Sequence, residues 1–132
     1  MADPNIEEIM RRKRLVDHYY RNFRKFYEAK KYSKASEFLW GTINNLAYAI
    51  GLFYDRKVGG HNETVDFIEE LALVKKNDSI GEQLASAQRI HANFFHDFMT
   101  ESMFEDDRIK TEKLIEFLSE ILDDEIQDLI SG

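Results

Sequence analysis

The sequence predicts an all-α protein: a single five-helix up-and-down bundle over residues 1–132, with a buried central second helix. Three observations carry the prediction. One proline and six glycines in 132 residues leave long stretches without a helix breaker. Apolar residues recur every three or four positions and show no clear alternation, which is the pattern of helices rather than strands. The third is the stretch from Ser33 to Tyr54. Past Ser36 its one charge is Glu37, and Phe38, Leu39, Trp40, Ile43, Leu46, Ala47, Ile50, Leu52 and Phe53 leave almost no polar side. A helix that is apolar all round must be covered on all sides. At ~33 Å it would nearly cross a bilayer. However, Glu37, the Asn44-Asn45 pair and amphipathic neighbours favour a place inside a bundle, with no membrane span.

The first helix is expected from about Asn5 to Lys30, with Asn5 as cap and Glu8 placed to complete a capping box. Ile9, Val16, Tyr19, Tyr20, Phe23, Phe26 and Tyr27 form its apolar side, and basic residues spread over the other. A solvated basic face is the plain reading. Cations beside rings also suit nucleic acid, because the cations neutralise phosphates and the rings stack on bases. That makes Arg11, Arg12, Arg14, Arg21 and Arg24 the candidate nucleic-acid contacts. Ser33 is expected to cap the central helix. Gly59 and Gly60 mark a turn, after which Asn62 or Thr64 caps a third helix to about Lys76. Ser79-Ile-Gly-Glu82 reads as a capping box opening a fourth helix to about Thr100, whose core side takes Leu84, Ala87, His91, Phe95 and Phe98. Ser102-Met-Phe-Glu105 reads as another, opening the last helix.

Charge is divided unevenly along the chain. Residues 1–34 carry ten Lys or Arg against five Asp or Glu, whereas residues 35–132 carry eight against twenty, giving the net −7. The overall acidity argues against bulk affinity for nucleic acid, and leaves a local basic face. The basic first helix and the acidic last helix are expected to be neighbours, within one chain or across a dimer. No cysteine is present, so disulfides and thiolate metal sites are excluded. That agrees with a cytoplasmic location. The start Met-Ala-Asp-Pro-Asn-Ile lacks the basic-then-apolar pattern of a secretory signal.

The run Lys31-Tyr-Ser-Lys-Ala-Ser-Glu-Phe-Leu-Trp, followed by Gly59-Gly60-His61-Asn62, resembles the HEPN superfamily of small helical proteins. There the second helix opens with an Ala-x-Glu-x-x-Leu/Trp pattern and a histidine stands at the start of the next helix. Ile90-His91-Ala-Asn93-Phe94-Phe95 is similar to a Leu-His-x-Asn-Phe-Tyr run of the archaeal PaREP branch. The resemblance covers about residues 23–122. It implies a helical bundle, frequently homodimeric, in a group that includes RNA-cleaving toxins of toxin–antitoxin systems and nucleotide-binding partners of nucleotidyltransferases. Its catalytic members carry Arg-x4-6-His.

Two pairs satisfy that spacing, Arg56 with His61 and Arg89 with His96, and these four are the candidate catalytic residues. Lys57 stands where catalytic members usually have Asn, Asp or His. Arg89, Asn93 and His96 share a face at i, i+4 and i+7, where a histidine could move a proton while an arginine steadies a phosphorane. A loose Arg/His spacing also arises by chance, and a structural role competes for each pair. The candidate ligand-binding residues are His61, Asn93 and Glu37. His61 follows two glycines that leave its ring approachable, and the positive end of a helix favours its neutral form, ready to accept a proton or bond a donor. The competing role is to fix the turn. His91, on the apolar side, reads as a hydrogen-bonded core histidine. No Glu-x-x-His occurs, so no metal site or cofactor is expected.

The reading is therefore a non-catalytic helical interaction module associated with nucleotide or RNA. Two alternatives stand beside it: a metal-independent endoribonuclease and a purely structural homodimer.

Overall fold

Every regular element among residues 4–132, the part of the chain described by the computed structural model, is helical. The five helices are α1 (Ile6–Glu28), α2 (Tyr32–Phe53), α3 (His61–Val74), α4 (Ile80–His96) and α5 (Glu101–Ser131). Met1 to Asp3, part of the start that lacks a secretory pattern, lie outside the described residues. No described helix is long and apolar enough to cross a membrane.

Helix α2 is the centre of the bundle and touches all four others. Leu39, Ile43, Leu46 and Ile50 are buried along its length, each contributing ~1.5–3 kcal/mol by leaving water. Helix α1 runs antiparallel to it. The Phe26 and Phe38 rings stack at 5.5 Å, and Arg12 reaches Asn45 Oδ1 at 3.0 Å. Tyr19 lies so close over Gly41 that a Cβ there would stand 2.5 Å from its ring, which is how α1 and α2 approach each other. Helix α4 also runs against α2, with Ser33 Oγ donating to the Phe94 carbonyl at 3.2 Å and Asn93 Nδ2 to Ser36 Oγ at 3.1 Å.

The basic first helix and the acidic last helix are neighbours within one chain. Lys13 pairs with Asp123 at 3.3 Å, Tyr27 donates to Glu105 at 2.7 Å, and Tyr20 donates to Glu112. Hydroxyls do much of this bridging. The α5 carboxylates Glu105 and Glu112 are themselves paired with Arg108, which lies 4.9 Å from the Tyr27 ring centroid.

The helix ends depart from the expected signals in an informative way. Asn5 caps α1 as expected, accepting from the Glu8 amide at 3.1 Å, but the Glu8 carboxylate turns to Arg11 and Arg12 instead of closing a box. Ser33 lies inside α2, which starts at Tyr32 after a left-handed Lys30 (φ 59°). Ser79 Oγ bonds Asn77 Oδ1 rather than the α4 amides, and Glu82 pairs with Lys110 across to α5. Helix α4 stops at His96 because Asp97 turns left-handed (φ 44°), and Thr100, not Ser102, caps α5 by accepting from the Met103 amide at 3.2 Å. Phe95, in the last turn of α4, and Phe98, beyond its end, are exposed, contrary to their expected place in the core.

Helix α3 departs furthest from simple alternation. The chain reverses at Asp55 (φ 53°), not at its glycines, none of which has a positive φ. The Arg56 amide then bonds back to the Gly51 carbonyl at 2.9 Å, and Val58 is buried against Gly51. Residues 55–60 thus climb back beside the end of α2, so that α3 begins at Trp40 and moves past Asn44, whose Oδ1 accepts from Thr64 at 2.8 Å. Its far end meets Tyr54, which contacts Phe67.

Candidate functional site

The returning 55–60 segment brings three rings together from three helices. Trp40 of α2, His61 at the first position of α3 and His91 of α4 form a triangle. Its centroid separations are 5.0 Å for Trp40–His61, 4.7 Å for Trp40–His91 and 5.0 Å for His61–His91. The two imidazoles are nearly parallel, at 17°. Trp40 is 7% exposed and serves as the floor, and His61 is exposed at the rim. Phe95, one turn beyond His91, meets that imidazole edge-on at 5.2 Å and is 65% exposed, extending the aromatic surface into solvent.

Each ring is set by local structure. Trp40 projects from α2 four residues after Ser36, whose hydroxyl anchors Asn93 of α4, so His91 falls over the indole. Gly60 precedes α3 in extended conformation (φ −93°, ψ 168°), and its amide donates to the Glu63 carboxylate at 3.2 Å. Gly59 has no neighbour within 4 Å of an added Cβ, so the rim beside His61 stays open.

His91 differs from the core histidine expected of it. It is half-buried, and its enclosed Nδ1 has no hydrogen-bond partner among the described residues. A proton on Nδ1 would be a buried donor without an acceptor, which favours the tautomer with Nδ1 bare and Nε2 protonated. Burial, and after it the charge of His61, push its pKa below the ordinary histidine value. The ring is therefore a neutral hydrogen-bonding group beside an exposed imidazole.

The candidate Arg/His pairs are not brought together. Arg56 pairs with Glu70 and stands 5.0 Å from the Phe67 ring centroid. Glu70 is on α3 nine residues beyond His61, some ~13 Å along the helix axis. Arg89 forms a two-point pair with Asp107 (3.0 and 2.8 Å) and also donates to Ser86, tying α4 to α5. The Asp107 partner is buried, and the pairing raises the Arg89 pKa further. His96 is exposed at the end of α4 and makes no side-chain hydrogen bond among the described residues. Asn93 is fully buried: its Oδ1 accepts from the Met99 amide at 2.9 Å, and its Nδ2 serves Ser36. Its visible work is to hold the α4–α5 turn. Glu37 is half-buried and pairs with Lys34 at 3.2 Å, one turn before Trp40.

Three of the five candidate nucleic-acid arginines are engaged within the fold. Arg11 pairs with Glu8, Arg12 reaches Asn45 and lies 3.6 Å from the Tyr48 ring centroid, and Arg24 pairs with Glu28. Bonds from Arg11 and Arg12 hold the Glu8 pKa down at about 2. Arg14 and Arg21 are exposed. Among the described residues no group of three His, Cys, Asp or Glu is placed to hold a metal ion. No protein family, curated protein or solved structure matches this chain.

Proposed function

We propose that the chain is a HEPN-like helical interaction module that receives a nucleotide or RNA base against the open side of the Trp40–His61–His91 stack and does not cleave it. The observation that carries this reading is the ring triangle itself: two imidazoles nearly parallel to each other over an indole, with Phe95 continuing the surface outward. Planar bases stack on such rings at ~1–3 kcal/mol per base, and imidazole nitrogens can bond a base edge. Arg14 and Arg21 supply exposed cations on α1 for the backbone of a longer RNA. The non-catalytic part of the reading is supported by Arg56 and Arg89, each paired with a carboxylate and neither hydrogen-bonded to the histidine it would need. A homodimer or a nucleotidyltransferase-type partner in the cytoplasm completes the proposal. The exposed Phe95, Phe98 and Met103 offer such a partner apolar side chains.

Trp40 is the one tryptophan, so its emission reports the site directly. Adenosine monophosphate and oligoadenylate are expected to quench it saturably, and His61→Ala should abolish the response while shifting the melting temperature by no more than a few degrees. Wild-type emission unaffected by either probe, or His61→Ala losing stability while still binding, would refute the assignment. Cleavage of RNA in EDTA that depends on His61 would instead establish the endoribonuclease.

A further inference from the structure

The histidine stack joins the two ends of a mechanical element. His61 is the first residue of α3, and the segment leading to it is mostly exposed, with open space around Gly59. Beyond its first turn α3 is held firmly. Thr64 bonds Asn44, Phe67, Ile68 and Leu71 are buried, and Glu70 pairs with Arg56. Val58 anchors the leading segment to Gly51 of α2, but between Val58 and Thr64 the described contact with α2 and α4 is the stacking of the His61 ring on Trp40 and His91.

We propose that this stack is a proton-sensitive latch: with at most one imidazole charged it holds the first turn of α3 over Trp40, and when both are charged it releases that turn and uncovers the indole. Two like charges on rings 5.0 Å apart repel, and no carboxylate pairs with either ring among the described residues. On α2 the closest ionisable groups are Glu37 and Lys34, which neutralise each other at 3.2 Å. On α3 the Glu63 carboxylate accepts from the Gly60 amide, which orients it but leaves its charge, and Asp66 is exposed; both are open to solvent, which screens them. On α4 the residues one turn from His91 are Ala87, Gln88, Phe94 and Phe95, all uncharged. In the preceding loop Arg56 is drawn to Glu70, and Lys57 is exposed. His91 is shielded from solvent by burial and feels the His61 charge, so the pair admits its second proton reluctantly. Accepting that proton places an N–H on the enclosed Nδ1, which separation of the rings relieves. As control of the binding site the inference rests on the function proposed above, but the latch itself can be tested without any nucleotide.

The experiment takes the full chain without ligand from pH 8 to pH 5, following the histidine ring protons and amide protection by NMR and Trp40 by its emission. Charging of one ring is expected to delay uptake of the second proton by the pair. With that second uptake the Trp40 emission should move to the red, and amide protection at Thr64, whose N–H bonds the Gly60 carbonyl at 2.9 Å, should fall about tenfold while the later turns of α3 hold. His61→Gln and His91→Gln each leave one imidazole and should remove both changes, whereas His18→Gln should keep them. Independent titration of the two rings, protection equal at the two pH values, or persistence of the changes in both glutamine variants would overturn the latch. Because no nucleotide enters the measurement, a failure of base binding and a failure of the latch give different results.

Discussion

Replacing Asn93 by alanine tests whether this residue is structural or part of a binding site. Its side chain is fully buried and makes two bonds, accepting from the Met99 amide and donating to Ser36 Oγ. Ser36 Oγ keeps its own donation to the Tyr32 carbonyl at 2.7 Å, so its loss is the smaller one. The Met99 amide, on a residue only 9% exposed, has no other partner among the described residues and would be stranded. A stranded buried donor costs ~1–3 kcal/mol, and loss of the second bond adds about 1 kcal/mol. The expected destabilisation is therefore ~2–4 kcal/mol, which for a chain of this size lowers the melting temperature by roughly 3–5 °C per kcal/mol. Urea unfolding followed both by Trp40 emission and by circular dichroism measures it, and coincident transitions would validate two-state treatment. Asn93→Asp keeps the acceptor for Met99 but loses the donor and buries a carboxylate, so it should not rescue. Stability of Asn93→Ala within about 0.5 kcal/mol of wild type would refute the argument, since such a change is typical of a surface site.

Two further outcomes follow from close contacts and from titration. In Gly51→Ala a Cβ would meet Val58 Cγ2 at 2.8 Å and the Arg56 carbonyl at 2.9 Å, so the returning segment must shift; a loss of ~1–3 kcal/mol is expected despite the better helix propensity of alanine, and a stabilised variant in urea unfolding would contradict it. Burial, reinforced by the bond to Glu112, pushes the Tyr20 pKa up to about 12, so its stabilising contribution is complete below the unfolded-state value near 10 and is lost as pH rises from there to about 12; Tyr20→Phe should lack this alkaline loss in melting curves, and an unchanged alkaline limb would show that another group carries it.

The helical class, the central helix and most of the core were written in the sequence because they follow from local periodicity. Ile43, Leu46 and Ile50 repeat at three and four in a segment without a polar face, and any fold of that segment must bury it. The opposite charge of α1 and α5 suggested that they could be neighbours, but Lys13–Asp123 is the one ion pair described between them and tyrosine hydroxyls make the other bonds. Helix ends were less legible. Capping signals are short, and the polar groups at Ser79, Glu82 and Glu105 had other partners to choose from, Asn77, Lys110 and Tyr27 among them. Only the tertiary structure decided the site. His61 and His91 stand thirty residues apart with no shared motif, and nothing in their spacing says that they meet. They meet because the chain reverses at Asp55 and climbs back along α2 for six residues before starting α3, a path fixed by the close approach of Arg56 and Val58 to Gly51. The same path carries Arg56 to Glu70 and away from the histidine five residues later, so a pair adjacent in sequence separates while a distant pair stacks. Periodicity records which side of a helix is apolar, whereas the contact between two side chains depends on where the intervening backbone runs.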